Sequence, residues 1–254
     1  MRQIPETRII EDLRGAGNRG ELVAHFQPQV ALPGRHVVGV EALARWNHPE
    51  FGSIAPINFI PAAESTGYIS QLGHHMLELA TRHVTAWRAT GVQLDLAVNV
   101  SPSQLADPGF CDDVVSVLER SGLPAASLTL EITETQPIGD LTAAVECLEH
   151  LRDHGVGVSI DDFGTGHSSL EQFRSLPATE LKLDQSIIQG PVDDVHLQLA
   201  DVLREARERG LRIVAEGVET PEQLALAEQL GCDRAQGFLI GVPVDAETLA
   251  RSLR

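Results

Sequence analysis

The chain has 254 residues, 43% of them hydrophobic and 22% charged, so it can bury a sizeable core and is not a disordered segment. Its 19 basic residues stand against 36 acidic ones, a formal net charge of −17, which excludes a general electrostatic grip on a nucleic-acid polymer. No apolar run reaches the ~18 residues of a membrane span, and the N-terminal stretch has no apolar centre of the kind a secretion signal carries.

In chain order, Ile4–Arg14 reads as a short helix packed beside the main body. Strands are expected at Val23–Val30 and Val37–Leu43. Only Ala31–His36 joins them, too short for a helical crossover, so the two should pair antiparallel as a hairpin. Ile69, Leu72, Met76, Leu77, Ala80, Val84 and Trp87 then recur at helical spacing, with Gly91 as a stop. Strands follow at Leu94–Val100 and Leu128–Ile132. A helical stripe runs from Ile138 to Leu151, closed by Gly155. Further strands are expected at Val156–Ile160 and Glu180–Leu183, and a third stripe runs from Val195 to Ala206, closed by Gly210. After a strand at Leu211–Ala215, Thr220-Pro221-Glu222-Gln223 is a capped helix start. The last strand is expected at Ala235–Ile240, and Asp245 can cap a final helix.

Eight strands alternating with helices over this length indicate an α/β fold, a modified TIM (β/α)8 barrel in which the first strand is antiparallel. We expect a single domain over 1–254, with 1–20 as a helical lead-in and 21–254 as the barrel. Cys111, Cys147 and Cys232 are odd in number, far apart along the chain and without a CxxC pair. They read as three ordinary unpaired residues in a reducing, cytoplasmic compartment.

The polar residues at the C-terminal ends of the strands carry the chemistry, because a barrel gathers those ends at one mouth. They are Glu41 and Arg45, Asn99, Glu131 and Glu134, Asp161 and Asp162, Lys182 and Asp184, Glu216 and Glu219, and Gln236. Carboxylates ~4 Å apart repel by about 4 kcal/mol at an effective dielectric of 20. Several in one cavity therefore hold protons or bind cations. Oxygen-only donors suit Mg2+ or Mn2+ rather than zinc, and Asp161-Asp162 could bridge two such ions. Lys182 can hold a water or a phosphate oxygen, and Arg45 can clamp a phosphate. Asp162-Phe163-Gly164 matches the kinase magnesium triplet, but the chain has no kinase Gly-rich loop and no HRD segment.

These residues sit in ordered blocks: Gln27-Pro28, Glu41-Ala42-Leu43-Ala44-Arg45-Trp46, Phe59-Ile60-Pro61 with Glu64, Asn99-Val100-Ser101 and Glu131-Ile132-Thr133-Glu134. Asp161-Asp162-Phe163-Gly164-Thr165-Gly166, Lys182-Leu183-Asp184, Ala215-Glu216-Gly217-Val218-Glu219-Thr220 and Gln236-Gly237-Phe238 follow. With these blocks the chain resembles the EAL-domain family of cyclic di-GMP phosphodiesterases. The resemblance implies hydrolysis of one phosphodiester of cyclic di-GMP to linear pGpG with two Mg2+ or Mn2+ ions. It implies Glu41, Asn99, Glu131 and Asp161 as ligands of one metal, and Asp161, Asp162 and Glu216 as the set of the other. Lys182 is similar to the lysine that contacts the attacking water. Gln27, Leu43, Arg45, Asp184, Glu219 and Gln236 resemble substrate-binding or supporting residues. Glu134 matches a glutamate that anchors the loop from Asp162 to His167, which links the site to a homodimer interface. The resemblance also leaves room for an upstream sensory or GGDEF domain. Val242, Gln185 and His167 depart from residues common in the family. The alternatives are a catalytically weak cyclic di-GMP sensor acting through a protein partner, and an unrelated metal-dependent barrel of the enolase kind.

Overall fold

Strand pairing settles the architecture. The computed structural model describes residues 5–133, 138–164, 170–190 and 192–253. Strands β1 (Leu22–Ala31) and β2 (Val37–His48) form the expected antiparallel hairpin, with Gln27 opposite Glu41 and Gln29 opposite Gly39. β3 (Gly52–Ile54) folds back on the end of β2. From β2 the sheet continues in parallel through β4 (Asp95–Val100), β5 (Leu128–Thr133), β6 (Gly157–Phe163), β7 (Glu180–Leu183), β8 (Arg212–Ala215) and β9 (Arg234–Gln236). β9 then pairs antiparallel with β1 and closes the circle, while β10 (Val244–Asp245) adds to the outer end of β1. The result is a closed eight-stranded barrel whose first strand is antiparallel to both neighbours.

The helices are α1 (Glu6–Leu13), α2 (Pro56–Ser65), α3 (Ile69–Ala89), α4 (Pro102–Leu105), α5 (Phe110–Ser121), α6 (Leu141–Asp153), α7 (Leu170–Ser175), α8 (Gln185–Gln189), α9 (Val192–Glu208), α10 (Pro221–Gln229) and α11 (Ala246–Ser252). The two expected caps are in place: Thr220 and Gln223 form a reciprocal capping box on α10, and Asp245 accepts from Thr248 in α11. Asp140, which the sequence reading did not single out, accepts from Ala143 at the start of α6.

Alternation along the strands splits the molecule into two interiors. Leu96, Val98, Leu128, Leu130, Ile132, Val158, Ile160, Leu181, Leu183, Ile213 and Ala235 are buried and alternate with the polar residues of their strands. They meet the helices and make the apolar core. Phe26 joins that core edge-on to Trp87 of α3, with ring centroids 4.9 Å apart. The other set, which includes Asp95, Asn99, Thr129, Glu131, Ser159, Asp161, Glu180, Lys182, Arg212, Arg234 and Gln236, faces the barrel axis. Side-chain hydrogen bonds and ion pairs cross that axis between strands. The barrel interior is therefore largely polar, with Ala97 and Val214 as apolar exceptions on the same face, and most apolar burial lies outside it.

Two expectations are corrected. The strand expected at Ala235–Ile240 stops at Gln236, because the chain turns sharply at Gly237. A Cβ there would lie 2.2 Å from the backbone nitrogen and oxygen of Val218, so only glycine allows the approach. The three cysteines are not all unpaired: Cys111 and Cys147 form a disulfide, and Cys232 is free and buried. α5 and α6 follow the adjacent parallel strands β4 and β5 and lie side by side. Residues 36 apart in sequence thus come to a Cα separation of 5.9 Å. With that pairing, the cysteine argument for a reducing compartment lapses.

Candidate active site

The site begins with the register of the parallel strands. Asn99 pairs with Glu131, whereas Glu131 pairs with Ser159 and Asp161 lies two residues further along β6, opposite Thr133, so the amide and the acids climb from strand to strand toward the mouth. β7 adds Lys182, whose side chain is 1% exposed. Its Nζ lies 2.7 Å from Glu216 Oε1, 2.9 Å from Asp161 Oδ1, 2.9 Å from Glu131 Oε1 and 3.9 Å from Glu41 Oε2. One ammonium thus sits among four carboxylates from β2, β5, β6 and the end of β8.

Asp162 joins them against the rule of alternation. Consecutive strand residues point to opposite faces, yet Asp161, Asp162 and Glu216 place carboxylate oxygens within 4.8 Å of one another. The reason lies in the backbone. Asp162 has φ +58°, and the β6–β7 register shifts between Ile160 and Phe163. This bulge turns the second acid back toward the first, at a cost of about 1–3 kcal/mol for a non-glycine residue. Asp162 N–H also donates to Asp161 Oδ1 at 3.0 Å.

Glu41 is the best supported of the acids. Asn99 Nδ2 donates to its Oε1 and Gln236 Nε2 to its Oε2, both at 2.6 Å. Burial opposes its charge, but Lys182 and these two amides hold its carboxyl below the usual range. Glu131 and Glu216 go the other way. Burial pushes both well above the ordinary glutamate value, and the neighbouring carboxylates add to it while Lys182 opposes. Asp162 is pushed up to about 6 by burial and by Asp161 and Asp184. Burial pulls the Lys182 ammonium down, but the surrounding carboxylates outweigh it and hold the group charged.

Residues present at the mouth fit a metal. Glu131 is buried, and among the described residues neither of its carboxylate oxygens has a hydrogen-bond partner of good geometry. Four carboxylates around one lysine leave an excess of negative charge that burial penalises. Every donor is oxygen, which suits a hard divalent cation.

A cavity of about 280 Å³ opens above the cluster, lined by Gln27, Glu41, Leu43, Asp162, Asp184, Glu216, Glu219, Gln236 and Phe238, among others. A second, mostly apolar cavity of about 320 Å³ runs beside Glu41 and Asn99 under α2 and α3. The structure thus brings together all the sequence-selected residues except two. Arg45 is half-buried on β2, donates to the carbonyl of Ala44 and lines neither cavity. Glu134 lies outside the described residues, as does His167. Asp184 also caps α8 through Ser186 N–H. Sequence reading missed Gln29, Asp95 and Arg234, which support the cluster from inside the barrel. The signal was present as the alternating pairs Gln27-x-Gln29 and Arg234-x-Gln236 in otherwise apolar strands.

Fold and site together define a class of barrel with an oxygen-rich acidic cluster at the C-terminal strand ends. The sequence pattern of the EAL domain matches residues 10–243, and the chain belongs to that family. It is 43% identical over 252 residues to the bifunctional diguanylate cyclase/cyclic di-GMP phosphodiesterase MucR of Pseudomonas aeruginosa, covering 98% of this chain and 37% of that protein. It is 39% identical over 257 residues to the cyclic di-GMP phosphodiesterase NbdA of the same organism, covering 100% of this chain and 33% of NbdA. The chain therefore spans about a third of the length of these relatives. Among solved structures, the MucR phosphodiesterase in complex with cyclic di-GMP superposes with a TM-score of 0.87 at 43% identity, covering 95% of this chain and 99% of that one.

Proposed function

We propose that this domain hydrolyses one phosphodiester of cyclic di-GMP, giving linear pGpG, with two Mg2+ or Mn2+ ions. The observation that carries the reading is Lys182 buried among Glu41, Glu131, Asp161 and Glu216, with Glu131 Oε1 held by the Lys182 ion pair alone and Oε2 without a hydrogen-bond partner among the described residues. The named activity of MucR and NbdA, and the nucleotide in the MucR complex, support the substrate.

Glu41, Asn99, Glu131 and Asp161 would hold one ion, and Asp161, Asp162 and Glu216 the other. Bound there, the ions supply a water of lowered pKa and positive charge for the phosphate. Lys182, fixed by three short contacts, orients the attacking water. Gln27, Leu43, Asp184, Glu219 and Gln236 line the cavity that receives the dinucleotide. Arg45 would turn from the Ala44 carbonyl to a phosphate oxygen. The loop-supporting role that the resemblance implies for Glu134 falls outside the described residues.

We take the chain as one domain, with 1–20 as lead-in and 21–254 as barrel, acting as a homodimer in the cytoplasm; were it part of a longer protein, the resemblance leaves room for a sensory or GGDEF domain upstream. None of the described helices is long and apolar enough to cross a membrane.

The test is incubation of the purified protein with cyclic di-GMP and Mg2+ or Mn2+, with and without chelator, with the product identified chromatographically. The expected result is pGpG, lost in chelator and lost in Glu41→Ala and Asp161→Asn. Near-normal turnover in both variants would remove the metal assignment. Binding without turnover in the wild type would leave a sensor module.

A further inference from the structure

Glu41 does not orient itself; the amide that grips it is set from the opposite end of the barrel. Arg234 Nη1 donates to Gln29 Oε1 at 3.4 Å, Gln29 Nε2 donates to Gln236 Oε1 at 2.9 Å, and Gln236 Nε2 donates to Glu41 Oε2 at 2.6 Å. The second Gln236 proton goes to Gln27 Oε1 at 3.1 Å. Gln29 and Gln236 are 2% and 4% exposed, so water does not compete for these groups. Register builds the chain: Gln29 stands opposite Gln236 across β1–β9, and Gln27 opposite Glu41 across β1–β2.

We propose that Gln29 and Arg234 are positioning residues for the metal site. A glutamine side chain has one accepting and one donating end, and a half-turn about its last bond exchanges them. A guanidinium can only donate. Arg234, itself held by Asp95, therefore forces the Gln29 oxygen toward it and the Gln29 amino group toward Gln236. That in turn forces the Gln236 amino group onto Glu41. Reversed, Gln236 would set a carbonyl oxygen against the carboxylate. The direction of three hydrogen bonds is thus decided by one cation at the far end.

Gly39 is an independent mark of the same device. A Cβ on this residue would lie 3.1 Å from Arg234 Nη1 and 3.3 Å from Gln29 Oε1, so the missing side chain leaves room for that link.

This inference rests on Glu41 as a metal ligand, and the test separates the two. Gln29→Glu replaces a two-ended amide with an acceptor that Arg234 still binds, so Gln236 should turn round. Calorimetry of Mn2+ binding to the full chain is expected to show a Kd weakened about 10- to 100-fold, the range for loss of an outer partner of a ligand. Gln29→Met, which only removes the link, should weaken it less. A purely space-filling role gives the opposite order. Gly39→Ala, outside the relay, should weaken it several-fold, which keeps the question answerable if Gln29→Glu does not fold.

A second readout needs no metal: the side-chain amide resonance of Gln236, assigned by its loss in Gln236→Glu. Glu41→Gln should shift it in the wild type and leave it still in Gln29→Glu. Mn2+ affinity within twofold of wild type in both Gln29→Glu and Gly39→Ala overturns the relay. So does a Gln236 resonance that Glu41→Gln moves equally in both backgrounds. Absence of Mn2+ binding by the wild type, with the resonance behaving as expected, would overturn the metal assignment and leave the relay standing.

Discussion

Lys182 is the residue on which the metal-free barrel depends. Its three contacts at 2.7–2.9 Å are each worth ~6 kcal/mol of gross attraction at an effective dielectric of 20, while every carboxylate pair ~4 Å apart repels by ~4. Attraction and repulsion are of the same size, so the lysine holds the acids together without neutralising them. Lys182→Met keeps the volume and removes the charge. In chelator, urea unfolding should then report a loss of about 3 kcal/mol, as for a buried ion pair stripped of one partner. Millimolar Mn2+ should return more stability to this variant than to the wild type, because a ligand that binds only the folded state stabilises by mass action and has here no ammonium to compete with. Equal responses of the two proteins to Mn2+ would mean that lysine and cation do not share one cage. The strained φ of Asp162 belongs to the same economy of charge: it stores energy to bring one more acid to the cluster.

At the scale of elements, the pair α5 and α6 is held covalently through Cys111 and Cys147. Closing a loop with a sequence separation of 36 residues removes chain entropy from the unfolded state worth roughly 3–4 kcal/mol. Burial pushes the Cys232 thiol up to about 12, so it is not a thiolate near neutral pH. Thiol titration should therefore find no reactive group in the native oxidised protein, one after denaturation without reductant, and three after denaturation with it. Cys111→Ser should lower the urea midpoint by an amount matching that entropy. Three reactive thiols without reductant would show that the helices pack without the bond.

The same pair shows what a sequence can and cannot tell. Strand and helix periods, the Thr220 and Asp245 caps and the six-residue link Ala31–His36 are local, and each was legible. α5 was legible too, from Val114, Val117 and Leu118 with Gly122 as a stop, though it was not picked out. The disulfide depends on which crossover helices become neighbours, a property of the sheet order. The acids at the mouth could be read because strand ends converge in any barrel. Asp162 was read at the same strand end, but the bulge that turns it inward beside Asp161 was not, since no period reveals it. Gln29 and Arg234 look like isolated polar residues until the closing β1–β9 register sets Gln29 opposite Gln236 and Arg234 two positions away on the same face.

For the molecule as a whole, the distribution of charge opposes the proposed substrate. Cyclic di-GMP carries two phosphodiester charges, and the domain carries a formal −17. Even two divalent cations leave it strongly negative. Arg45, two residues beyond the EAL triplet along the chain, is half-buried, and burial lowers its pKa against the pull of Glu41. The long-range field should therefore slow encounter, and attraction should begin only within the mouth. The Debye length falls from 30 Å at 0.01 M salt to about 10 Å at 0.1 M, which removes the distant repulsion and spares the short-range contacts. With metal kept saturating, kcat/KM for cyclic di-GMP should rise several-fold between those two salt concentrations, and kcat should stay level. Enzymes whose active-site field attracts an anionic substrate show the reverse trend. A fall in kcat/KM would locate a positive funnel at the mouth that outweighs the surrounding acids, and the balance of charge drawn from Lys182, Arg45 and the carboxylate ring would then have to be redrawn.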